Sequence, residues 1–325
     1  MSVEQLLRVL ADGQFHSGEA LGEQLGVSRT AIWKQLKKLE ALGVELHSVK
    51  GRGYRIPEGL ELLSENALRA TLAPAVADQL RQVSLLLSTG STSADAMAAA
   101  LAGDRHGCLH LAEQQTAGRG RRGRRWISPF GRNLYFSLAW TFSGGAAALE
   151  GLSLVVGLAV RQGLLDCGVT GLALKWPNDL LRDGRKLAGI LLEMSGDASG
   201  LCQVVIGVGV NVAMPREAAS AIDQPWADLG DCVPRLGRNQ LLGAILNRLL
   251  PLLQDFSQQG FEPFQADWNR CNAHAQQPIT LVTPRHRFAG RCLGVDAKGA
   301  LLLETASGIE SFHGGEVSLR SRDES

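Results

Sequence analysis

The sequence lacks the cysteine pattern of zinc ribbons and disulfide-stabilised proteins. Its six cysteines, at positions 108, 167, 202, 232, 271 and 292, include no C-x-x-C pair. Both kinds of site need cysteines at suitable spacings, so the scattered pattern argues against each of them. The simpler interpretation is that these cysteines are small buried apolar residues. Cysteines without a pairing pattern are also typical of a protein in the reducing cytosol.

Long hydrophobic runs and excess charge are also missing. The longest apolar run, residues 152–160, is too short to span a bilayer and is followed by Arg161. Glu4 and Arg8 interrupt the N-terminal apolar residues, so this segment does not resemble a signal peptide. The net charge is +1, from 33 Lys+Arg against 32 Asp+Glu, so nucleic-acid binding would need a local basic patch. We therefore expect a cytoplasmic protein with no membrane segment.

The chain has 325 residues and 45% hydrophobic content, enough for two or three packed domains. In the first predicted domain, residues 1–63, apolar residues follow helical spacing over residues 3–11. Ser17 and Ser28 stand at N-cap positions of two further helices, and Gly26 separates these helices. Two short helices joined in this way predict a helix-turn-helix.

The third helix of this domain carries a cationic face near its N-terminus, where recognition helices meet DNA bases. A glycine-rich basic turn at residues 50–53 then predicts a wing. The alternative is a helical module for protein contacts, but the caps, turn and basic wing together favour a winged helix-turn-helix that binds DNA. The predicted DNA contacts are Ser28, Arg29, Thr30, Trp33, Lys34 and Lys37.

Residues 64–273 have a mixed α/β pattern and form the second predicted domain. Four polar features fall at strand ends or in loops: the Ser/Thr cluster 91–93, the loop 115–124, Asn178-Asp179 and Lys186. Each has an ordinary structural explanation taken alone, such as helix capping or a solvated charge. Together they predict a pocket for a small polar molecule beside an anion.

The segment TAGRGRRGR, residues 116–124, has the glycine spacing of a phosphate-binding P-loop but not its chemistry. Arg124 and Arg125 replace the required lysine and hydroxyl residue, and a strand-like segment follows instead of a helix. We interpret it as another kind of anion-binding loop, whose arginines offer bidentate donors to phosphate or carboxylate.

Such a loop suits the activation of a carboxylate by a nucleotide. The attacking carboxylate and the triphosphate repel each other, so fixed cations must stabilise the charge of the transition state. An acyl-adenylate also hydrolyses readily, which gives a closing loop a purpose. The segment Gly207-Val208-Gly209 lacks the third glycine and the helix of a dinucleotide-binding fingerprint, so it indicates close packing or ligand approach instead.

Three segments closely resemble those of biotin protein ligases: residues 115–124, residues 175–179 and residues 185–190. With the N-terminal module, the chain resembles the bifunctional bacterial class that also represses the biotin operon. The resemblance implies an α+β multidomain fold with a class II synthetase-like, biotin–lipoyl ligase-like catalytic domain. The short strands after Pro278 then correspond to an SH3-like β-barrel, residues 274–325.

The resemblance also implies the reaction and the partners. Biotin and ATP, with Mg²⁺, would form biotinoyl-5′-AMP, and biotin would pass to a lysine of the biotin carboxyl carrier protein of acetyl-CoA carboxylase. The adenylate would act as corepressor and promote a homodimer that binds operator DNA. The dimer contact is expected in the middle domain, because the apolar stripes of residues 1–57 are used in the small core of that module.

Site residues follow from the same resemblance. Lys186, Arg121 and Asp179 would be catalytic, with Lys186 stabilising charge on the carboxylate and the α-phosphate, and no protein metal cluster is expected. The family often has Asp-Ser-Thr-Asn where this chain has residues 90–93, Gly-Ser-Thr-Ser. The biotin set is Ser91, Thr92, Ser93, Gln115, Arg119, Gly120, Arg121 and Lys186. The ATP or adenylate set is Arg119, Arg121, Asn178, Asp179, Asn211 and Trp226.

Two other interpretations remain open. In the first, the middle domain only senses a ligand for a transcription factor, although Lys186 and the arginine loop favour chemistry. In the second, the chain is a lipoate ligase, which shares the catalytic fold but usually lacks this loop and the DNA-binding module.

Overall fold

The computed structural model describes residues 2–103, 105–196, 200–230, 236–283, 286–314 and 318–321. The N-terminal module contains helices α1 (Val3–Leu10), α2 (Gly18–Leu25) and α3 (Arg29–Ala41), followed by strands β1 (His47–Val49) and β2 (Gly53–Arg55). The two strands form an antiparallel hairpin.

Local side chains set the helix boundaries in this module. The hydroxyls of Ser17 and Ser28 accept hydrogen bonds from backbone N–H groups in the first turns of α2 and α3. Gly26 ends α2 in the left-handed conformation, with φ of 66°. The predicted caps and the predicted turn are therefore confirmed, and the first strand of the hairpin begins at His47.

The central part of the chain is built on a seven-stranded sheet. Its strands lie in the order β3-β4-β5-β9-β8-β7-β6, with β3 and β4 parallel and the other pairs antiparallel. The strands are β3 (Gln82–Leu86), β4 (Cys108–Ala112), β5 (Leu134–Phe142), β6 (Leu172–Lys175), β7 (Asp179–Arg182), β8 (Arg185–Gly196) and β9 (Cys202–Val210). The helices are α4 (Glu65–Arg69), α5 (Pro74–Ala77), α6 (Thr92–Leu101), α7 (Leu152–Asp166), α8 (Arg216–Ala219), α9 (Arg238–Gln259) and α10 (Gln265–Arg270).

The two faces of this sheet have different environments. One face packs into a large apolar core with α7 and α9, to which β5 contributes Phe136, Leu138 and Trp140. On the opposite face α6 packs against β4, β5 and β9 near Ser137. The segment Ala146–Asp166 is long and apolar enough to cross a membrane, but 56% of its most apolar stretch is buried inside the protein. It serves here as a core helix.

The last strands form a separate antiparallel sheet in the order β13-β12-β11-β10-β14. They are β10 (Pro278–Val282), β11 (Arg287–Val295), β12 (Leu301–Thr305), β13 (Gly308–Phe312) and β14 (Ser318–Ser321). These strands confirm the β-structure that was predicted after Pro278. Trp176 Nε1 donates to the carbonyl of Gly299 at 3.1 Å, which ties this sheet to the central domain.

The N-terminal module also contacts the central domain directly. Phe130 is buried in the same apolar cluster as Leu6 and Leu39 of the helical module. Gln114, just beyond β4, donates from Nε2 to the carbonyl of Leu42 at 3.0 Å, at the end of α3. The C-terminal end of α3, the helix with the predicted DNA-binding face, therefore contacts Gln114, the residue next to Gln115 in the chain.

Candidate active site

A large cavity lies on the sheet face where the strands carry small residues. Its empty volume, which includes the open space at its mouth, is about 1040 Å³. Glycines 189, 207 and 209 lie side by side on β8 and β9, because Gly189 and Gly209 are direct partners in the antiparallel ladder. Without side chains at these positions, a ligand can approach the backbone of the sheet.

The cavity contains most of the predicted site residues. Of the biotin and ATP sets, only Asn211 and Trp226 do not line it. The four polar features that the sequence distributes over 96 positions, from 91 to 186, therefore meet in one cavity. The predicted residues that line it are Ser91, Thr92, Ser93, Gln115, Arg119, Gly120, Arg121, Asn178, Asp179 and Lys186.

Buried hydroxyl groups form one end of the cavity, at the start of α6. Ser91, Thr92 and Ser93 are 5%, 3% and 6% exposed. Gln115 Oε1 accepts from the Thr92 backbone N–H at 2.9 Å and from the Thr92 hydroxyl at 3.1 Å. Ser91 stands at the N-cap of α6 without making a side-chain capping bond, so its hydroxyl does not serve the helix. This end of the cavity therefore offers buried hydroxyl groups that can hydrogen-bond to a ligand.

The arginine loop is held as a small hairpin over the cavity. The N–H of Gly120 donates to the carbonyl of Arg124 at 2.7 Å, and that of Trp126 donates to Gly118 at 2.9 Å. Arg122 adopts the left-handed conformation, with φ of 59°, inside a single 3₁₀ turn. Arg121 and Arg122 both line the cavity, and Arg122 is the more exposed of the two.

Arg121 crosses from the loop to the opposite wall. Its guanidinium donates to Asn178 Oδ1 at 3.2 Å and to the carbonyl of Gly314 in the C-terminal sheet. Burial lowers the pKa of Arg121, and the nearby carboxylate of Asp179 acts in the opposite direction. The side chain stays charged because an arginine does not deprotonate in proteins. Arg119, by contrast, extends toward Glu193, with 3.6 Å between Nη2 and Oε1.

Lys186 and Asp179 form an ion pair in the middle of the cavity. Lys186 Nζ lies 2.8 Å from Asp179 Oδ1, and the two side chains are 18% and 17% exposed. The ammonium group also lies 5.7 Å from the centre of the Trp126 ring. A cation held in this way is oriented before any anionic substrate arrives.

Asn211 and Trp226 lie in an adjoining pocket with an empty volume of about 420 Å³. Asn211 Nδ2 donates to the carbonyl of Ala227 at 3.1 Å, which fixes the loop that carries Trp226. Lys186 lines both cavities, and its backbone N–H donates to Pro225 at 3.0 Å. The two pockets thus share a wall at the ammonium group.

Trp126, Ser128 and Ser137 are among the residues of the site that were not predicted from the sequence. Trp126 lies on the bare glycine face, where a Cβ on Gly209 would come within 2.5 Å of its ring. Ser128 and Ser137 hydrogen-bond to Gln115 and Thr92. In the sequence, Ser137 is recognisable as a polar residue within the apolar segment that forms β5.

The predicted DNA-contacting side chains lie together on α3 and at its N-cap, Ser28. All six are exposed, and Trp33 is 53% exposed. Lys37 pairs with Glu40 at 2.6 Å, which offsets part of the cationic charge. In the wing, the guanidinium of Arg52 lies 4.2 Å from the ring of Phe15, so the hairpin is anchored to the helices.

Comparison with known sequences and structures gives consistent matches. The sequence model described as "Biotin/lipoate A/B protein ligase family" matches residues 99–211, "HTH domain" matches residues 3–55, and "Biotin protein ligase C terminal domain" matches residues 276–320. "Bifunctional ligase/repressor BirA" of Salmonella typhimurium is 40% identical over 318 residues, 98% of this chain and 97% of that protein. The protein with the same description from Bacillus subtilis is 31% identical over 95% of each chain.

The structural comparison agrees. The structure of "Biotin protein ligase from Aquifex aeolicus in complex with biotin and ATP" covers 74% of this chain and 99% of its own, with a TM-score of 0.64 and 28% identity. Full-length similarity to the BirA proteins, together with the matched N-terminal, catalytic and C-terminal modules, identifies the family. The chain belongs to the biotin protein ligases, in the bifunctional ligase/repressor group.

Proposed function

We propose that this chain converts biotin and ATP into biotinoyl-5′-AMP and transfers the biotinoyl group to a lysine of the carboxyl carrier protein of acetyl-CoA carboxylase. One observation carries the proposal. The buried hydroxyl cluster and two half-buried cations, Arg121 and Lys186, line the same cavity. A ligand with a polar head and a carboxylate tail fits that arrangement, with its head at the hydroxyls and its carboxylate at the cations.

In the first step, the biotin carboxylate attacks the α-phosphorus of ATP and pyrophosphate leaves. Both reactants are anionic, so the step needs positive charge that is already in place. Lys186 provides it between the two pockets, and the ion pair with Asp179 at 2.8 Å holds the ammonium group there. Arg121 adds a second cation from the loop side.

The nucleotide would occupy the region that joins the two pockets. Asn178 and Asp179 lie at the turn into β7, Arg119 lies on the loop, and Asn211 and Trp226 line the adjoining pocket. Trp226 offers an aromatic surface for the adenine. This assignment puts the α-phosphate near Lys186, one of the residues that line both pockets.

Mg²⁺ would bind together with the ATP phosphates. Among the described residues, no group of three or more His, Cys, Asp or Glu side chains could hold a metal by itself. Magnesium in nucleotide sites commonly uses one or two carboxylates plus substrate phosphates, and the carboxylate of Asp179 fits that pattern. Bound there, the ion would neutralise phosphate charge.

In the second step, the ε-amino group of the carrier lysine attacks the acyl carbon of the adenylate, and AMP leaves. The arginine loop must exclude water until then, since water would hydrolyse the mixed anhydride. Arg121 contacts both the opposite wall at Asn178 and the C-terminal sheet at Gly314. We assign it the role of a clasp that retains the adenylate.

The same adenylate would control repression. A single recognition helix reads too few bases to select one genomic site, so proteins of this kind usually bind DNA as dimers. We propose that the adenylate promotes homodimerisation through the central domain and thereby tightens operator binding by the six exposed side chains of α3 and its N-cap. We also propose that the enzyme acts in the cytosol.

A transfer assay tests the enzymatic part. Full-length protein is incubated with an apo carrier domain, biotin and Mg-ATP, and the carrier is analysed by intact mass spectrometry. One biotin should be added per carrier, and replacing the acceptor lysine by arginine should prevent it. Lipoate in place of biotin provides the specificity control. Modification by lipoate but not by biotin would contradict the proposal and identify a lipoate ligase.

A further inference from the structure

The hydrogen bonds around Thr92 form a continuous chain whose direction can be established from its fixed ends. Ser128 Oγ donates to the carbonyl of Trp126 at 3.1 Å, so at 3.2 Å it accepts from Gln115 Nε2. The Thr92 backbone N–H, which can only donate, lies 2.9 Å from Gln115 Oε1. Both contacts require the same amide orientation, with Oε1 toward Thr92.

The remaining hydroxyls follow from that orientation. Thr92 donates its only hydroxyl proton to Gln115 Oε1, so it must accept from Ser137, whose Oγ lies 2.8 Å away. Ser137 then has no proton left for Ser93, and it accepts from the Ser93 hydroxyl at 3.0 Å. The hydroxyl protons of Thr92, Ser93 and Ser137 are therefore all used within this chain.

This direction determines what the cavity offers a ligand. Thr92 and Ser93 line it, and with their protons committed they present lone pairs as hydrogen-bond acceptors. Ser91 also lines it and makes no capping bond, so its hydroxyl can donate. Two acceptors and one donor match a cyclic urea, which has two N–H groups and one carbonyl.

We propose that Ser137 is a positioning residue that sets this polarity and so makes the pocket selective for the ureido group; the inference depends on the proposed function. Ser137 is fully buried, with 0% exposure, and does not line the cavity, so it acts through Thr92 and Ser93. Its ladder partner on β9 is Gly207, where a Cβ would lie 2.5 Å from Ser93 Oγ. The glycine leaves the space that the Ser93 hydroxyl needs to reach Ser137.

The inference also explains the departure at residue 93. Where the family often has asparagine, Ser93 has a single hydroxyl that can donate or accept at the cavity. Because the Ser93 hydroxyl donates its proton to Ser137, it can only accept a hydrogen bond at the cavity. Without Ser137, the Ser93 proton is free to turn toward the ligand and oppose a ureido N–H.

The test measures biotin affinity and steady-state kinetics with full-length Ser137→Ala. We expect the Kd and the KM for biotin to rise about tenfold, the effect of losing roughly one hydrogen bond, while the KM for ATP and kcat stay within about twofold. Thr141→Val on the same strand is the matched control, because the Thr141 hydroxyl makes no hydrogen bond to the described residues. That variant should bind biotin like the wild type.

Two results would overturn the inference. The first is a folded Ser137→Ala protein with wild-type biotin affinity, and the second is equal losses for biotin and ATP. If Ser137→Ala does not fold, Ser93→Ala at the cavity wall supplies the test, since unchanged biotin affinity would exclude Ser93 as an acceptor. Failure of the proposed function is a different result, because the wild type itself would then not bind biotin.

Discussion

Replacing Lys186 by alanine is the most informative single substitution in the proposed reaction centre. The ammonium group lies 2.8 Å from Asp179 Oδ1. At that separation and an effective dielectric constant of about 20, the attraction between two unit charges is roughly 6 kcal/mol before desolvation is subtracted. A cation held this firmly can stabilise new negative charge without reorganising. Removing one preorganised group of this kind typically costs about 3–4 kcal/mol in the transition state, or roughly 100-fold to 1000-fold in rate.

The assay is biotin-dependent release of pyrophosphate from ATP by the purified full-length variant. We expect kcat/KM to fall by about 100-fold to 1000-fold. Since the substitution also leaves Asp179 without its partner, thermal unfolding must be measured in parallel. The double variant Lys186→Ala/Asp179→Asn removes the uncompensated charge and should recover stability without recovering activity.

Arg248→Ala provides the matched control. Arg248 also forms a close ion pair, at 2.6 Å from Asp166, but both side chains are substantially exposed. Such pairs contribute at most about 1 kcal/mol to stability, and this one lies outside the cavity. Pyrophosphate release should therefore be normal. Near-wild-type activity in folded Lys186→Ala would refute the charge-stabilising role of the lysine.

Three further predictions follow from other contacts. Arg121→Gly breaks the link from the loop to Asn178, so adenylate should escape and biotinylate a bystander protein more than the wild type does; equal labelling would exclude the clasp. Lys34→Ala on the exposed face of α3 should weaken operator binding and reduce the salt slope by about one if the lysine contacts a phosphate, with pyrophosphate release unchanged. Sedimentation should show more dimer with biotin and ATP than without them, and a dimer fraction that ignores both ligands would rule out ligand-promoted dimerisation.

The features predicted correctly from sequence depend on local chemistry. Ser17 and Ser28 cap their helices and Gly26 ends α2, because these choices depend on residues within one helical turn. The short helices α4, α5 and α8 were not predicted, since segments of four or five residues give too little periodicity.

The candidate site was predictable in part. Ser91, Arg121 and Lys186 stood out by residue type, and the fold brings them to one cavity. The place of Trp126 depends on contact with Gly189 and Gly209, more than 60 positions away, which requires the strand register.

Long-range position also decides the remaining cases. Trp226 lines an adjoining pocket because its loop pairs with Lys186, and Asn211, directly after β9, donates to the same loop at Ala227; no local pattern indicates either contact. Ser137 is one polar residue in an apolar strand. Its role becomes visible only when β5 pairs with Gly207 and packs under α6.

The central claim is that this chain makes and retains biotinoyl-adenylate. The direct measurement is native mass spectrometry of full-length protein after incubation with biotin and Mg-ATP and removal of unbound ligand by gel filtration. The account predicts a protein peak shifted by the mass of biotinoyl-5′-AMP, which disappears when apo carrier is added. A peak at the mass of the unliganded chain, or one shifted only by intact biotin or ATP, would contradict it.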